Sequence, residues 1–359
     1  MGGAALAAAG RRAGRAGPGP AARLRDRAGS ARPRAGQRRR SPAAALQPWS
    51  GGPGIDPARL HQPSGRRPDR GARGDHRARA GPALAALPLT DRDWVELFSA
   101  IAAEVRSAVA PLIGTEGGRQ EIATGAGGDR TVEIDRRAEE VAMAAFARAA
   151  AGGATFSVLS EEAGHRPFGA DYPLVLLDPI DGSLNAKQGV PCYAVMLSLL
   201  DGPRVGDLRV GYVMNLVSGD EFTASKGGGA FRNGEPILPL PRPDPERIEV
   251  LALESSPRSL FEAEELVRRA AKLRILGSMA LSIAHAATGG FDVFCSPLRA
   301  RVFDMTASVL ILREVGGVAT DLKGRALDEL EVGFEVRTTL LAAADGGAHR
   351  LALEILGGD

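Results

Sequence analysis

Large apolar side chains are almost missing from the first quarter of this chain. Only ten of residues 1–90 are Val, Ile, Leu, Met, Phe, Trp or Tyr, whereas Ala, Gly, Pro and Arg account for 66 of them. Such a segment cannot bury enough surface to offset the backbone entropy lost on ordering. Residues 1–89 are therefore expected to form a disordered basic tail. The fold has to be built from the ~270 residues that follow, enough for one large domain or two lobes.

Charge divides at the same place. The first ninety residues hold 18 Arg, no Lys and 4 Asp, a net +14, so the formal total of +2 leaves −12 for residues 91–359. A body of that sign is no natural ligand for nucleic acid. No apolar run approaches the ~20 residues of a spanning helix, so no membrane segment is expected. Two cysteines, Cys192 and Cys295, cannot build a disulfide framework and point to a reducing, cytoplasmic setting. The tail itself has three readings. It is Arg-rich and acid-poor like an organellar transit peptide, but Pro and Gly break it and Ser is scarce. Blocks such as Arg38-Arg39-Arg40 would suit RNA or an acidic partner. The plainest reading is an extension shaped by coding bias, since Arg outnumbers Lys 41 to 4 throughout.

Order is expected from Thr90, an N-cap residue with Asp93 in the first turn behind it. Trp94, Leu97, Phe98, Ile101, Val105 and Val109 keep helical spacing up to Pro111 and Gly114. A second helix fits 135–150, and the Gly125–Arg130 stretch between them reads as a loop. Strand-like runs follow at 155–159, 174–177, 192–200, 208–216 and 221–224, with a tight turn at Asn233-Gly234. Beyond the prolines at 239, 241, 243 and 245, strands alternate with helices. Strands are expected at 248–253, 273–276, 291–295, 317–321 and 338–343, and helices at 258–272, 278–288, 304–315 and 346–356. The pattern suggests an α+β lobe over 90–240, carrying the candidate site, and an α/β lobe over 241–359.

The chemistry concentrates in Leu176-Leu177-Asp178-Pro179-Ile180-Asp181-Gly182-Ser183-Leu184-Asn185. A buried run ends abruptly in two carboxylates three residues apart, with Pro and Gly forcing a turn. Such a turn can aim both carboxylates and the Ile180 carbonyl into one space beside the Gly182 and Ser183 amides. Hard oxygen ligands suit Mg²⁺, and neighbouring amides suit a phosphate; a solvated Asx-turn would have the same residues. Glu161 and Glu162 end the preceding strand, where adjacent glutamates repel unless solvated or bound to a cation. Asp304 opens one helix and Asp135 another. Together these acids suffice for a two- or three-metal phosphoryl-transfer site. The five histidines lack zinc spacing, and His285 reads as a core residue. No Walker-type loop is present, Gly227-Gly228-Gly229 is a weak dinucleotide signal, and both cysteines read as inert packing.

These residues resemble the inositol monophosphatase family, and within it the bifunctional fructose-1,6-bisphosphatase/inositol monophosphatase branch. The matching blocks run from the Gly-Asp-Arg-Thr-Val-Glu-Ile-Asp stretch ending at Asp135 through Ser160-Glu161-Glu162 and DPIDGSLN. They continue with GGGAFRNGEPI (227–237), GSMALSIAHAATGGFD (277–292) and FDMTAS…EVGGVATD (303–321). The tail has no counterpart. The resemblance implies an α/β fold, a layered αβαβα sandwich, and a homodimer. It implies two or three Mg²⁺ held by Glu161, Asp178, the Ile180 carbonyl, Asp181 and Asp304. Asp181, Gly182 and Ser183 would hold the phosphate, and Asp135 with the Ser183 hydroxyl would orient the attacking water, with Glu161 beside it. Ser183 stands where the family often has Thr, Phe303 where it usually has Trp, and Arg130 where a small residue is common. The implied substrate is a small phosphorylated polyol or sugar, hydrolysed by in-line attack of water. Met279 is expected on the substrate side, and two basic residues, Arg274 and Arg299, match places where the bifunctional branch carries basic residues and would serve a second phosphate. The competing readings are a nucleotide 3′-phosphatase of the same family and a nucleic-acid-associated protein acting through its tail.

Overall fold

The computed structural model describes residues 89–128 and 130–357, so the expected tail, apart from Leu89, lies outside the described residues. Thr90 opens the first helix as expected. Its hydroxyl accepts from the Asp93 N–H at 3.2 Å, and the Asp93 carboxylate accepts from the Thr90 N–H at 2.8 Å, a reciprocal cap. This helix, α1 (Asp91–Val109), buries Trp94, Phe98, Ile101 and Val105. A short ribbon, β1 (Glu121–Thr124) and β2 (Arg130–Val132), then leads into α2 (Glu133–Ala151). The Gly-rich stretch expected as a loop is the tip of that ribbon, with Arg130 already in its second strand.

Strands β3 (Phe156–Ser160), β4 (Gly164–Asp181), β5 (Ala194–Leu200), β6 (Leu208–Asn215), β7 (Glu221–Ser225), β8 (Gly229–Arg232) and β9 (Glu235–Pro236) form one sheet in chain order. A single short helix, α3 (Ser183–Gln188), sits between β4 and β5. Pairing is antiparallel from β4 onward, and β3 runs parallel to residues 174–177 of β4. Asn233-Gly234 makes the last turn, with Asn233 at φ 53°. The rest of the chain supplies β10 (Val250–Leu253), α4 (Glu264–Arg269), β11 (Lys272–Arg274), α5 (Met279–Ala287), β12 (Val293–Arg301), α6 (Thr306–Glu314), β13 (Val318–Thr320), β14 (Arg337–Ala343) and α7 (Gly346–Gly357). Its strands form a second, mixed sheet in the order β11-β10-β12-β14-β13.

The strands read as continuous apolar runs because both their faces are buried. In β5, Val195, Leu197 and Leu199 join the core beneath α1 and α2, while Ala194, Met196 and Leu200 face the opposite way, toward α5 and α6. Ser198 points the same way and its hydroxyl meets that of Thr306, at the start of α6, at 2.8 Å. In the second sheet, Phe294 and Leu340 face α5 and α6, while Cys295 and Leu341 face the outer core with α7. Helices α1 and α2 therefore form one outer layer, α5 and α6 the middle layer between the sheets, and α4 and α7 the other outer layer. The architecture is an αβαβα sandwich.

Three expected elements differ. The strand expected at 174–177 is part of β4, which begins at Gly164 and, because its pairing with β5 continues to Asp181–Ala194, runs through Asp178 to Asp181. The helix expected over 258–272 is reduced to a 3₁₀ turn at Leu260–Ala263 followed by α4. The Ser256 N–H donates to the Ser259 hydroxyl at 3.1 Å, so serine side chains compete with the helical ladder. The strand expected at 291–295 continues to Arg301. Pro297 falls in a register shift between Ser296 and Ala300, after which pairing with β14 resumes at Ala300–Thr338 and Arg301–Arg337. That extension carries Arg299 and Arg301 toward Asp304.

The middle layer demands a close approach at Gly211 of β6, where a Cβ would stand 2.6 Å from the Ala307 carbonyl oxygen in α6. Gly211→Ala is expected to destabilise the protein by about 1–3 kcal/mol through overpacking against backbone. A urea midpoint unchanged from wild type would contradict this contact.

Candidate active site

The centre of the site is the end of β4, where the chain stops being a strand at Gly182. This residue has φ +91°, and a Cβ on it would lie 2.9 Å from the Gly277 carbonyl oxygen and 3.1 Å from that of Cys192. Asn185 fastens the turn from the other side, donating through Nδ2 to the Cys192 and Leu276 carbonyls at 2.7 Å each. The turn is thus locked to the loop that leads into α5. Asp178 closes an Asx-turn, accepting from the Ile180 N–H at 3.0 Å. Asp181 faces the first turn of α5, accepting from the Met279 N–H at 3.2 Å, the Ala280 N–H at 2.9 Å and the Ser278 hydroxyl. The Ser183 hydroxyl donates to the Ile180 carbonyl at 2.8 Å.

Two more carboxylates arrive from other elements. Glu161 follows β3, and Asp304 lies in a 3₁₀ turn (Val302–Met305) before α6. Arg301 joins them: its Nε donates to both Asp304 oxygens at 3.0 and 3.1 Å, its Nη2 to Glu161 at 2.6 Å, and its Nη1 to the Gly127 carbonyl at 3.4 Å. One open cavity is lined by Glu161, Asp178, Ile180, Asp181, Gly182, Ser183, Met279, Arg299 and Asp304, all singled out in the sequence, and also by Arg301, Glu254 and Arg337.

Not every candidate reaches this cavity. Arg274 is exposed on β11 and donates to the adjacent Leu273 carbonyl at 2.9 Å. Asp135 is buried behind the cavity in the first turn of α2. It accepts from the Val132 N–H at 3.3 Å and stands 3.9 Å from the Lys187 ammonium, and the neighbouring Ser183 side chain offsets part of the rise in its pKa that burial causes. The two adjacent glutamates part company, for Glu162 turns to the Thr131 hydroxyl instead. The Gly227 and Gly229 amides are taken up by the Glu314 carboxylate at 2.9 Å each, which leaves no phosphate cradle there. His285 is a core residue set edge-on to Phe222 and Phe291. Burial pushes the Cys192 and Cys295 thiols up to about 11 and about 12, so both stay protonated.

Burial and mutual repulsion dominate the electrostatics. Asp178 is held well above the usual carboxylate range by burial, then by the charges of Glu161, Asp181 and Asp304. Burial raises Asp181 to about 6 against its three hydrogen bonds, and raises Asp304 to about 7 against the pull of Arg301. Of Glu161, Asp178, Asp181 and Asp304, Arg301 pairs only with Glu161 and Asp304, and four hard oxygen donors gathered in this way fit a divalent cation. Among the described residues, no three acidic, His or Cys side chains are gathered tightly enough to hold a metal ion as they stand. The Arg301 guanidinium instead lies between Glu161 and Asp304. Glu254 and Arg337 escaped sequence reasoning. Glu254 follows the end of β10, but a lone Glu before two serines gives no motif. Arg337 and Arg301 are lost among 41 arginines.

Residues 93–356 match the inositol monophosphatase family. The chain belongs to that family. It is 32% identical over 275 residues to the fructose-1,6-bisphosphatase/inositol-1-monophosphatase of Methanothermobacter thermautotrophicus, covering 73% of this chain and 96% of the relative. It is 30% identical to the bifunctional NADP phosphatase/NAD kinase of Methanococcus maripaludis over 68% of this chain and 46% of that longer protein. Its fold is similar to a crystallised inositol monophosphatase–fructose 1,6-bisphosphatase, with TM-score 0.64, 24% identity, and coverage of 73% and 99%. This family member is a phosphoric monoester hydrolase, in a family that is generally metal-dependent. Among the described residues, no helix is long and apolar enough to cross a membrane.

The raised carboxylates set a pH dependence. Their folded values lie above the unfolded values of roughly 4, so between about pH 4 and pH 7 the folded state binds more protons than the unfolded chain. Stability of the metal-free protein should therefore fall as pH rises through that window. A divalent cation taken up by these carboxylates would compete with those protons, so added Mg²⁺ is expected to raise the melting temperature more at pH 8 than at pH 5. Equal shifts at both values would contradict the assignment of these carboxylates as the cation site.

Proposed function

We propose that the protein is a Mg²⁺-dependent phosphomonoesterase acting on a small phosphorylated polyol or sugar, with myo-inositol 1-phosphate and fructose 1,6-bisphosphate as its substrates. The observation that carries this reading is the convergence of Glu161, Asp178, Asp181 and Asp304 with the Gly182–Ser183 turn on one cavity. Glu161, Asp178, the Ile180 carbonyl, Asp181 and Asp304 would hold two or three cations. When bound, such cations acidify a water molecule and offset charge on the departing oxygen. The Gly182 and Ser183 amides, with Asp181 beside them, hold the phosphate of the substrate. Ser183 and Asp135 orient the attacking water: the Asp135 Oδ1 has no hydrogen-bond partner and burial raises its pKa, which suits a proton acceptor. Glu161, which lines the same cavity, would assist it. Cytosolic location fits two unpaired thiols, and a homodimer fits the family.

A second phosphate needs a second anion site. Arg299 and Arg337 stand on the rim of the cavity, the Arg299 Nη2 donating to the Arg337 carbonyl at 3.3 Å. They take over the role that the sequence assigned to Arg274 and Arg299, since Arg274 does not line the cavity. Likeness to the NADP phosphatase half of an archaeal protein makes NADP the second candidate substrate. Among the described residues lining the cavity none is aromatic, so no ring is offered for a base to stack on.

Asp178→Asn or Asp304→Asn should lower turnover roughly a hundredfold or more at modest Mg²⁺ while leaving circular dichroism unchanged. Ser183→Ala should lower kcat more than it changes KM. Normal kcat in both aspartate variants would remove the cation assignment.

A substrate panel tests the second anion site. Arg337→Ala should cost roughly tenfold or more in kcat/KM for fructose 1,6-bisphosphate relative to myo-inositol 1-phosphate. Equal losses on both would leave a monophosphatase without a second phosphate site, and a preference for NADP would favour the nucleotide reading.

A further inference from the structure

One carboxylate in the cavity is left without a task by the hydrolytic chemistry. Glu254 follows β10, in the second sheet, and its backbone is pinned to the neighbouring strand by a bond from its N–H to the Cys295 carbonyl at 3.0 Å. Its side chain lines the cavity between the two sheets. Burial raises the pKa of the carboxylate, and the nearby Gly277 N–H offsets part of that rise. Its Oε2 is buried and has no hydrogen-bond partner. An orphaned acceptor at the edge of a cavity costs stability unless a ligand completes it.

The surroundings of Glu254 narrow what that ligand is. Gly277 is the residue on which the Gly182 turn rests, so Glu254 stands beside the same loop that seats the proposed phosphate position. A carboxylate there repels the phosphate itself and suits a donor on the rest of the molecule. The charge of Glu254 raises Asp181, whereas the dominant charges on Asp178 and Asp304 are those of Glu161, Arg301 and the other site aspartates. Glu254 therefore belongs to the α5 side of the cavity, away from the Glu161–Arg301–Asp304 group.

We propose that Glu254 is a specificity-determining residue that accepts a hydrogen bond from a hydroxyl of the phosphorylated polyol. The inference rests on the phosphatase reading above and adds to it how an alcohol rich in hydroxyls is chosen over a plain phosphate ester. A site built to satisfy a substrate hydroxyl discriminates against esters lacking one, because its own polar atom is then left unpaired.

The test compares myo-inositol 1-phosphate with p-nitrophenyl phosphate, which has no hydroxyl, in wild type, Glu254→Gln and Glu254→Ala over a Mg²⁺ titration. The expected result is a fall of roughly ten- to a hundredfold in the ratio of kcat/KM for the polyol ester to that for the aryl ester. The loss should appear in KM, with Gln retaining more selectivity than Ala and half-saturating Mg²⁺ within about twofold of wild type. A ratio unchanged in both variants would overturn the proposal. So would equal losses on both esters with a raised Mg²⁺ requirement, which would make Glu254 a cation ligand. Melting curves identify a variant that has not folded; if neither folds, wild type with deoxy analogues of the inositol ester gives the same reading, and absence of any selectivity against them overturns it. Failure of wild type to hydrolyse either ester with Mg²⁺ would instead remove the phosphatase reading on which this one stands.

Discussion

Repulsion among Glu161, Asp178, Asp181 and Asp304 is the constraint on which the structure around the site depends. In water such charges would simply stay apart; here burial brings them to one cavity and raises three of them. Each carboxylate is held by its own donors, some local and some delivered from distant parts of the chain. Asp181 takes the amides of the first turn of α5, Asp178 takes an amide from its own turn, and Arg301 spans Glu161 and Asp304. Loss of any one element would leave a buried charge without compensation, which is far costlier than the loss of a surface ion pair.

The layered architecture follows from the same need. Helix α5 can present its N-terminus to Asp181 only if it lies between the two sheets, and α6 can follow Asp304 only if it packs beside α5. Both conditions are met by strands that bury both faces, and by Gly211, which lets α6 approach the first sheet to backbone contact. Layer order and site chemistry are therefore one problem of packing and charge. The cavity is also polarised. Its more buried part carries Asp178, Asp181 and Asp304, while Arg299 and Arg337 at its exposed edge are basic.

Much of this was legible in advance at positions where chemistry and local geometry coincide. Thr90 and Asp93 specify a helix start because their bonds span only three residues. Asp178-Pro179-Ile180-Asp181-Gly182 specifies an abrupt strand end for the same reason, and an acid at such a place invites a functional reading. Where competing local bonds decided the outcome, the reading went astray. The serines at 255, 256 and 259 shorten a helix that its periodicity favoured, and a register shift carries β12 past Pro297, where strand propensity would have stopped it.

By itself the sequence determined the apolar-poor segment before residue 90, the helix and strand order of most of the body, and the turn that bears Asp178 and Asp181. These depend on composition and on contacts within a few residues, and such contacts are written in the order of the chain. Only the tertiary structure decided that Arg301 spans two of the acids, that Arg337 rather than Arg274 shares the cavity with Arg299, and that Glu254 faces it with an unpaired oxygen. These residues are common types in unremarkable sequence surroundings. Their roles come from the packing of two sheets around α5 and α6, which brings together side chains up to about two hundred positions apart.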